Sequence, residues 1–323
     1  MKRAIAIGNF DGVHRGHRSV LEVTCTLAKE RGSDPVVLTF DPHPGAVLGR
    51  KTPAVLTPLW RKQDLVLSLG IAECIVQRFD LDFAALTPEA FVRSLLVEGL
   101  GADLVLVGYD FRFGHKRQGD LATLRDLGAR HGFAVQVHDQ VADAGGPLSS
   151  TRVREAVAAG DLEQVRLLTG RDPALSGVVQ VGAQRGRTIG FPTANLGTPE
   201  EALPPNGVYA VVVDTVQSTR MSTVVTRLSA GVMNLGHRPT VGGDPQPTAE
   251  VHLFSVPPDA DLYGERLLVH LVGKVRDEMK FPGLDALSAQ IARDVVVARE
   301  MTETRTAAHG SYDRGQPFFE VKP

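Results

Sequence analysis

The chain has 323 residues, more than one hydrophobic core usually organises, so two domains are expected. Its formal net charge of -2 gives no basic footprint for nucleic acid, and its two cysteines, Cys25 and Cys74, read as small buried hydrophobes rather than as a disulfide framework or a zinc site. Only about five apolar residues follow Met1-Lys2-Arg3, and no run approaches the ~18 of a membrane span, so the reading is a cytoplasmic protein with no signal peptide and no membrane partner.

In chain order, the first half alternates strand-like and helix-like segments. Short apolar runs at 4–8, 36–40, 74–79, 104–108 and 134–138 suit strands covered on both faces. Helical spacing at 18–29, 60–69, 88–98 and 121–131 lies between them, and this βαβα order predicts a parallel sheet with right-handed crossovers. Two short helices follow at 152–159 and 162–169, stopped by Gly160 and Gly170, with Asp161 as N-cap and Gln164 as its capping-box partner. After Arg171-Asp172-Pro173 the character changes. Short β-branched runs at 177–181, 208–213, 222–226, 228–232, 249–254 and 267–272, with no helix between them, predict a barrel or sandwich. A helix over 284–301 carries Leu284, Leu287, Ile291, Val295 and Ala298 on one face. The remainder is polar apart from Phe318 and Phe319. The predicted domains are 1–172 and 173–305, with a partly disordered tail over 306–323.

The densest chemistry lies in Gly8-Asn9-Phe10-Asp11-Gly12-Val13-His14-Arg15-Gly16-His17, between the first strand and the first helix. Glycines there let backbone approach an anion, a helix start adds its dipole, and two imidazoles add N–H donors or positive charge. Ser149-Ser150-Thr151-Arg152-Val153-Arg154 offers hydroxyls and N–H groups at a second helix start, with an arginine one turn in. Two loops at carboxyl ends of strands hold Phe40, Pro42 and His43, and Tyr109, Asp110, Phe111 and Arg112. Neither a Walker A loop nor a G-x-G-x-x-G turn occurs.

His14-Arg15-Gly16-His17 resembles the signature of the HxGH nucleotidyltransferases, and Ser149–Arg154 resembles that family's second element. Arg185-Gly186-Arg187-Thr188-Ile189-Gly190-Phe191-Pro192-Thr193-Ala194-Asn195-Leu196 is similar to the riboflavin kinase signature, centred on P-T-A-N. Together, over roughly residues 4–301, the chain resembles the prokaryotic bifunctional riboflavin kinase/FMN adenylyltransferase (FAD synthetase) family. The resemblance implies a Rossmann-like α/β HxGH domain followed by a six-stranded antiparallel β-barrel with a C-terminal helix. It implies that the second domain phosphorylates riboflavin and the first adenylylates FMN, with pyrophosphate leaving.

In the first domain the resemblance makes His14 and His17 catalytic. ATP contacts would come from Gly8, Asn9, Phe10, Gly16, Asp110, Ser150, Thr151 and Arg154, and the flavin side from Phe40, Pro42, His43 and Phe111. In the second domain it makes Glu250 the general base for the riboflavin 5′-hydroxyl. Gly182, Arg185, Gly186, Arg187, Gly190, Pro192, Thr193 and Asn195 would bind ATP, and Arg276, Glu278 and Phe281 the flavin. Thr193 and Asn195 carry the hard oxygen donors Mg²⁺ prefers, so Mg²⁺ with ATP is the implied metal. Val181 and Ala183 stand where the family's loop carries His and Asp, which thins its polar lining. The partners implied are small molecules alone, on a monomer or a weakly self-associating chain. Two other readings stay open at this level: an adenylyltransferase for another acceptor with a non-catalytic barrel, and a flavin-binding protein without turnover.

Overall fold

A computed structural model describes residues 2–50, 52–181, 191–218, 223–240, 243–256 and 261–309. The chain falls into two compact units, Met1–Arg152 and Val153–Pro323. Among the described residues no helix is long and apolar enough to cross a membrane.

The first unit is built on five parallel strands: β1 (Arg3–Ile7), β2 (Asp34–Asp41), β3 (Glu73–Arg78), β4 (Ala102–Gly108) and β5 (Ala134–His138). They lie in the order β3-β2-β1-β4-β5. The order reverses between β1 and β4, and open α/β sheets bind ligands beyond the carboxyl ends of the strands at such a point. The continuous apolar character of β1 has a direct cause. Ile5 and Ile7 pack one face with Phe91 and Leu124, while Ala6 packs the other with Leu21 and Val66.

Helices α1 (Arg15–Arg31), α2 (Leu59–Ser68) and α3 (Leu121–His131) connect the strands, and residues 88–99 are also helical, with Phe91–Gly99 wound as a π-helix. Helix α1 starts three residues earlier than its apolar spacing predicts. The reason is its cap: the His14 ring accepts the His17 N–H at 3.3 Å, which draws Arg15, Gly16 and His17 into the first turn. A two-stranded ribbon, β6 (Ala142–Asp143) and β7 (Gly146–Pro147), follows the sheet, held by Arg152 on Asp143 at 2.9 Å. Cys25 and Cys74 are free thiols that pack beside the Leu21 cluster, and burial pushes both up, Cys74 to about 11. Both are half-buried rather than fully buried as expected, and they pack as small apolar side chains.

Helix α4 (Ser150–Ala159) starts two residues ahead of its predicted bounds, and α5 (Leu162–Thr169) keeps them, capped by Asp161 on the Gln164 N–H at 2.9 Å. The second unit's six strands are β8 (Ala174–Gln180), β9 (Ala194–Leu196), β10 (Gly207–Ser218), β11 (Thr223–Thr240), β12 (Gly243–Leu253) and β13 (Arg266–Arg276). All pair antiparallel, and each has two neighbours, which closes the barrel in the order β10-β11-β12-β9-β8-β13. The count of six matches the expectation, but by a different division. The runs at 222–226 and 228–232 are one strand, β11, whose long pairing with β10 continues past a register shift at Val213/Asp214. The three-residue β9 is too short for its sequence to announce it.

Strand β10 shows why its valines are consecutive. Tyr209, Val211 and Val213 fill the barrel interior, while Val208, Ala210 and Val212 face Ala298 of the last helix, α6 (Leu284–His309). That helix runs past the expected end at 301. Arg305 reaches the buried Asp172 at 3.0 Å, and the Thr302 hydroxyl donates to the Ala298 carbonyl at 2.9 Å. Of its predicted apolar face, Val295 and Ala298 pack on the barrel and Leu284 is exposed.

Candidate active sites

The N-terminal constellation is built at the end of β1. Phe10 and Val13 both adopt left-handed φ, +48° and +36°, which non-glycine residues hold only when their surroundings impose it. The surroundings here are specific. The buried Asp11 carboxylate accepts the Leu56 N–H at 3.0 Å and the Thr57 N–H at 3.1 Å. The Thr57 hydroxyl accepts the Gly12 N–H at 2.9 Å, and the Ser150 hydroxyl donates to the Asp11 carbonyl at 2.8 Å. The turn is thereby clamped from two sides, so that its residues meet an anion without reorganising.

His14 is buried and stacks on His17, with ring centroids 3.7 Å apart and planes 20° from parallel. Phe10 meets the His17 ring edge-on at 5.2 Å. A Cβ at Gly16 would stand 3.0–3.1 Å from the His14 ring, which explains the glycine between the two histidines. Ser149, one residue before α4, accepts the Arg152 N–H at 3.3 Å and so serves as the cap, which leaves Ser150 to hold the turn. Thr151 is exposed on α4, and Arg154, half-buried, lies past the division between the units.

Of the residues expected on the flavin side, His43 meets this turn. Asn9 places its amide nitrogen 3.4 Å from His43 Nε2, and His43 Nδ1 accepts the Gly45 N–H at 3.1 Å. Pro42, exposed, follows a cis peptide bond from Asp41. Phe40 and Phe111 are the ends of one aromatic row. Phe40 contacts Phe83 at 6.0 Å, Phe83 contacts Phe91 at 6.0 Å, Phe91 contacts Phe113 at 5.3 Å, and Phe111 stacks on Phe113 at 5.5 Å. Asp110 is exposed, with one carboxylate oxygen 3.4 Å from where a Gly108 Cβ would stand, and Arg112 pairs with Asp120 at 3.1 Å. Sequence reasoning missed Thr57 and Lys62. Lys62 is buried under the turn, and its place on the inner stripe with Leu65 and Val66 was the available signal.

In the second unit, Glu250 of β12 lies opposite Asn195 of β9 on one side and Asn234 of β11 on the other. The neighbours of each fill the interior: Ala249 and Val251 beside Glu250, Met233 and Leu235 beside Asn234, Leu196 beside Asn195. Strand alternation therefore puts all three polar side chains on the outer wall. Thr193, half-buried, lies just before β9, two residues from Asn195. Pro192 is exposed, and its carbonyl accepts a hydrogen bond from His252 Nδ1 at 2.9 Å, which ties the P-T-A-N segment to the strand of Glu250. A Cβ at Gly236 would land on the Glu278 carboxylate and stand 3.6 Å from the Asn234 amide, so Glu278 joins the same wall. Asn206 links Glu278 and His237, at 3.0 Å to each.

Arg276 is committed elsewhere. It forks onto the buried Asp294 of α6 at 2.7–3.0 Å, and its guanidinium stands 5.7 Å from the Phe281 ring. Gly182, Arg185, Gly186, Arg187 and Gly190 lie outside the described residues. Asn234 escaped sequence reasoning as an individual residue because only strand register sets it opposite Glu250. Asn206, His237 and His252 escaped it because only the folded chain shows the hydrogen bonds that join Asn206 to Glu278 and His237, and His252 to Pro192.

Two family models match, in this order: FAD synthetase over residues 1–152 and riboflavin kinase over residues 169–302. The bifunctional riboflavin kinase/FMN adenylyltransferase of Escherichia coli (strain K12) is 41% identical over 92% of this chain and 91% of its own. The protein of the same name from Bacillus subtilis (strain 168) is 35% identical over 91% and 90%. A crystal structure described as a macrolide-efflux protein from Streptococcus pneumoniae superposes with a TM-score of 0.76 at 28% identity, over 92% of this chain and 94% of that one. With both domains matched in order and the likeness running through nearly the whole length, the chain belongs to the bifunctional riboflavin kinase/FMN adenylyltransferase family.

Proposed function

We propose that this chain makes FMN from riboflavin and ATP over residues 173–305, and FAD from FMN and ATP over residues 1–172. The observation that carries the reading is that each unit holds its own constellation: the stacked His14–His17 pair at a helix start, and the Asn195–Glu250–Asn234 row on the barrel wall. On this reading the partners are small molecules, and a monomer suffices.

In the kinase step the Glu250 carboxylate takes the proton of the riboflavin 5′-hydroxyl as that oxygen attacks the γ-phosphorus of ATP, the bond from the γ-phosphorus to the β,γ-bridging oxygen breaks, and ADP leaves. Asn195 and Asn234 flank that carboxylate and orient it. Thr193 Oγ1 and Asn195 Oδ1 are hard oxygen donors two residues apart, a donor set that fits Mg²⁺ with the ATP phosphates. Bound there, the ion would supply charge neutralisation of the phosphates. Glu278, over Gly236, and Phe281 supply the flavin side, with Arg276 holding that segment to α6 through Asp294. In the adenylyl step a phosphate oxygen of FMN attacks the α-phosphorus of ATP and pyrophosphate leaves. His14 and His17, with backbone N–H groups of the 8–17 turn, stabilise the charge that develops. Ser150 holds that turn in place, Asn9 serves the ATP side, and His43, 3.4 Å from the Asn9 amide, orients the acceptor.

Incubation of the chain with riboflavin and Mg-ATP, followed by chromatography, tests this. FMN appears first and FAD follows, and EDTA stops both. No FMN would contradict the kinase assignment. FMN without FAD would contradict the transferase assignment and favour an adenylyltransferase for another acceptor.

A further inference from the structure

Lys62 of α2 is only 8% exposed and lies against the 8–17 turn. Its Nζ donates to the Asn9 carbonyl at 3.0 Å and to the Thr39 hydroxyl at 3.3 Å. The Thr39 hydroxyl donates to the same Asn9 carbonyl at 3.1 Å. The three groups close a triangle that joins the ends of β1 and β2 through α2.

An ammonium group is costly to bury, and burial pushes Lys62 below the usual lysine range, with the nearby Asp11 charge opposing. An apolar residue would complete the stripe of Leu65 and Val66 without that cost. What the lysine adds is directional. A trans peptide sends its carbonyl and the following N–H to opposite sides. Two donors on the Asn9 carbonyl therefore turn the Phe10 N–H away from Lys62, at the residue whose φ is +48° and whose ring meets His17.

We propose that Lys62 is a positioning residue for adenylyl transfer: it holds the Asn9–Phe10 peptide so that the Phe10 N–H faces the phosphate charge that builds up during the reaction. The inference rests on the adenylyltransferase reading of this unit. A donor aimed at transition-state charge supports kcat more than ATP binding, and the kinase unit of the same chain serves as an internal reference.

The experiment compares full-length wild type, Lys62→Met and Lys62→Gln for FMN-to-FAD turnover, ATP binding by calorimetry, and riboflavin-to-FMN turnover. Lys62→Met should lose at least about tenfold in kcat for FAD formation, with ATP affinity within about threefold and the kinase rate unchanged. Lys62→Gln, a neutral donor, should fall between. A kcat within about threefold of wild type in Lys62→Met overturns the proposal, as does a loss fully matched by lost ATP binding in both variants, which marks a structural role alone. If Lys62→Met shows no melting transition for this unit, Lys62→Gln decides: folded and slow supports the proposal, folded and wild-type fast overturns it. Failure of the wild-type protein to form FAD would instead overturn the reading on which the inference rests.

Discussion

In the N-terminal unit the proposed reacting groups come from ten consecutive residues, whereas those proposed on the barrel wall come from separate strands and a loop between residues 193 and 281. The first site keeps its shape through local strain and clamps: left-handed Phe10 and Val13, Asp11 on the 56–57 segment, and Ser150 on the Asp11 carbonyl. The second keeps its shape chiefly through register, with Asn195, Glu250 and Asn234 aligned because β9, β12 and β11 pair in one way, and His252 on the Pro192 carbonyl and Asn206 on Glu278 add links across it. A site of the first kind should be sensitive to backbone freedom within the turn. A site of the second kind should be sensitive to the identity of a few outward side chains.

The largest expected effects separate the two sites. Glu250→Gln should reduce riboflavin phosphorylation by about 10²–10⁴-fold while leaving adenylylation of added FMN at the wild-type rate. Phosphorylation within tenfold of wild type would remove Glu250 from the role of base. His17→Ala should reduce FAD formation by about 10²–10³-fold and let FMN accumulate. Adding a single methyl sharpens the comparison: Gly16→Ala crowds the His14 ring and should slow FAD formation by about 10–100-fold, with the kinase step as the unaffected control. Unchanged FAD synthesis in that variant would mean that the stacked geometry is not required.

The smallest effect concerns stability. Glu201 is buried, accepts the Ser176 hydroxyl at 2.7 Å, and burial raises its pKa from 4.5 to about 7. The folded unit therefore binds this proton more tightly than the unfolded chain. The stability it contributes is full below pH 4.5, falls as pH rises towards 7, and stays lost above that. Glu201→Gln should flatten this fall and stabilise the second unit at pH 8 by up to about 3 kcal/mol. Calorimetry of the whole chain at pH 5 and pH 8 measures it, and an equal difference between variant and wild type at both pH values would contradict it.

How far each site could be read from the sequence follows from the same contrast. His14, Gly16 and His17 are adjacent in the chain, so their spacing already carries the geometry, and only the reason for Gly16 waited for the ring positions. Lys62 and Thr57 lie far along the chain from the turn they support, and a lysine on an apolar stripe reads as an ordinary helix position until its carbonyl partner is seen. On the barrel, Glu250 stood out through family resemblance, while Asn234 could be found only from pairing. The alternating β-sheet was legible because each of its strands is a near-continuous apolar run. The merger of two predicted strands into β11 and the shortness of β9 were not, because both depend on what lies across the sheet. The last helix outran its apolar spacing because a polar anchor, Arg305 on the buried Asp172, holds its later turns.

The most direct test of two self-sufficient sites is complementation. Full-length His17→Ala and Glu250→Gln proteins are mixed with riboflavin and Mg-ATP, and FAD is followed over time. The account predicts that neither makes FAD alone and that the mixture does, after a lag in which FMN accumulates. A mixture that makes no FAD, although each protein retains its own half-reaction, would contradict it.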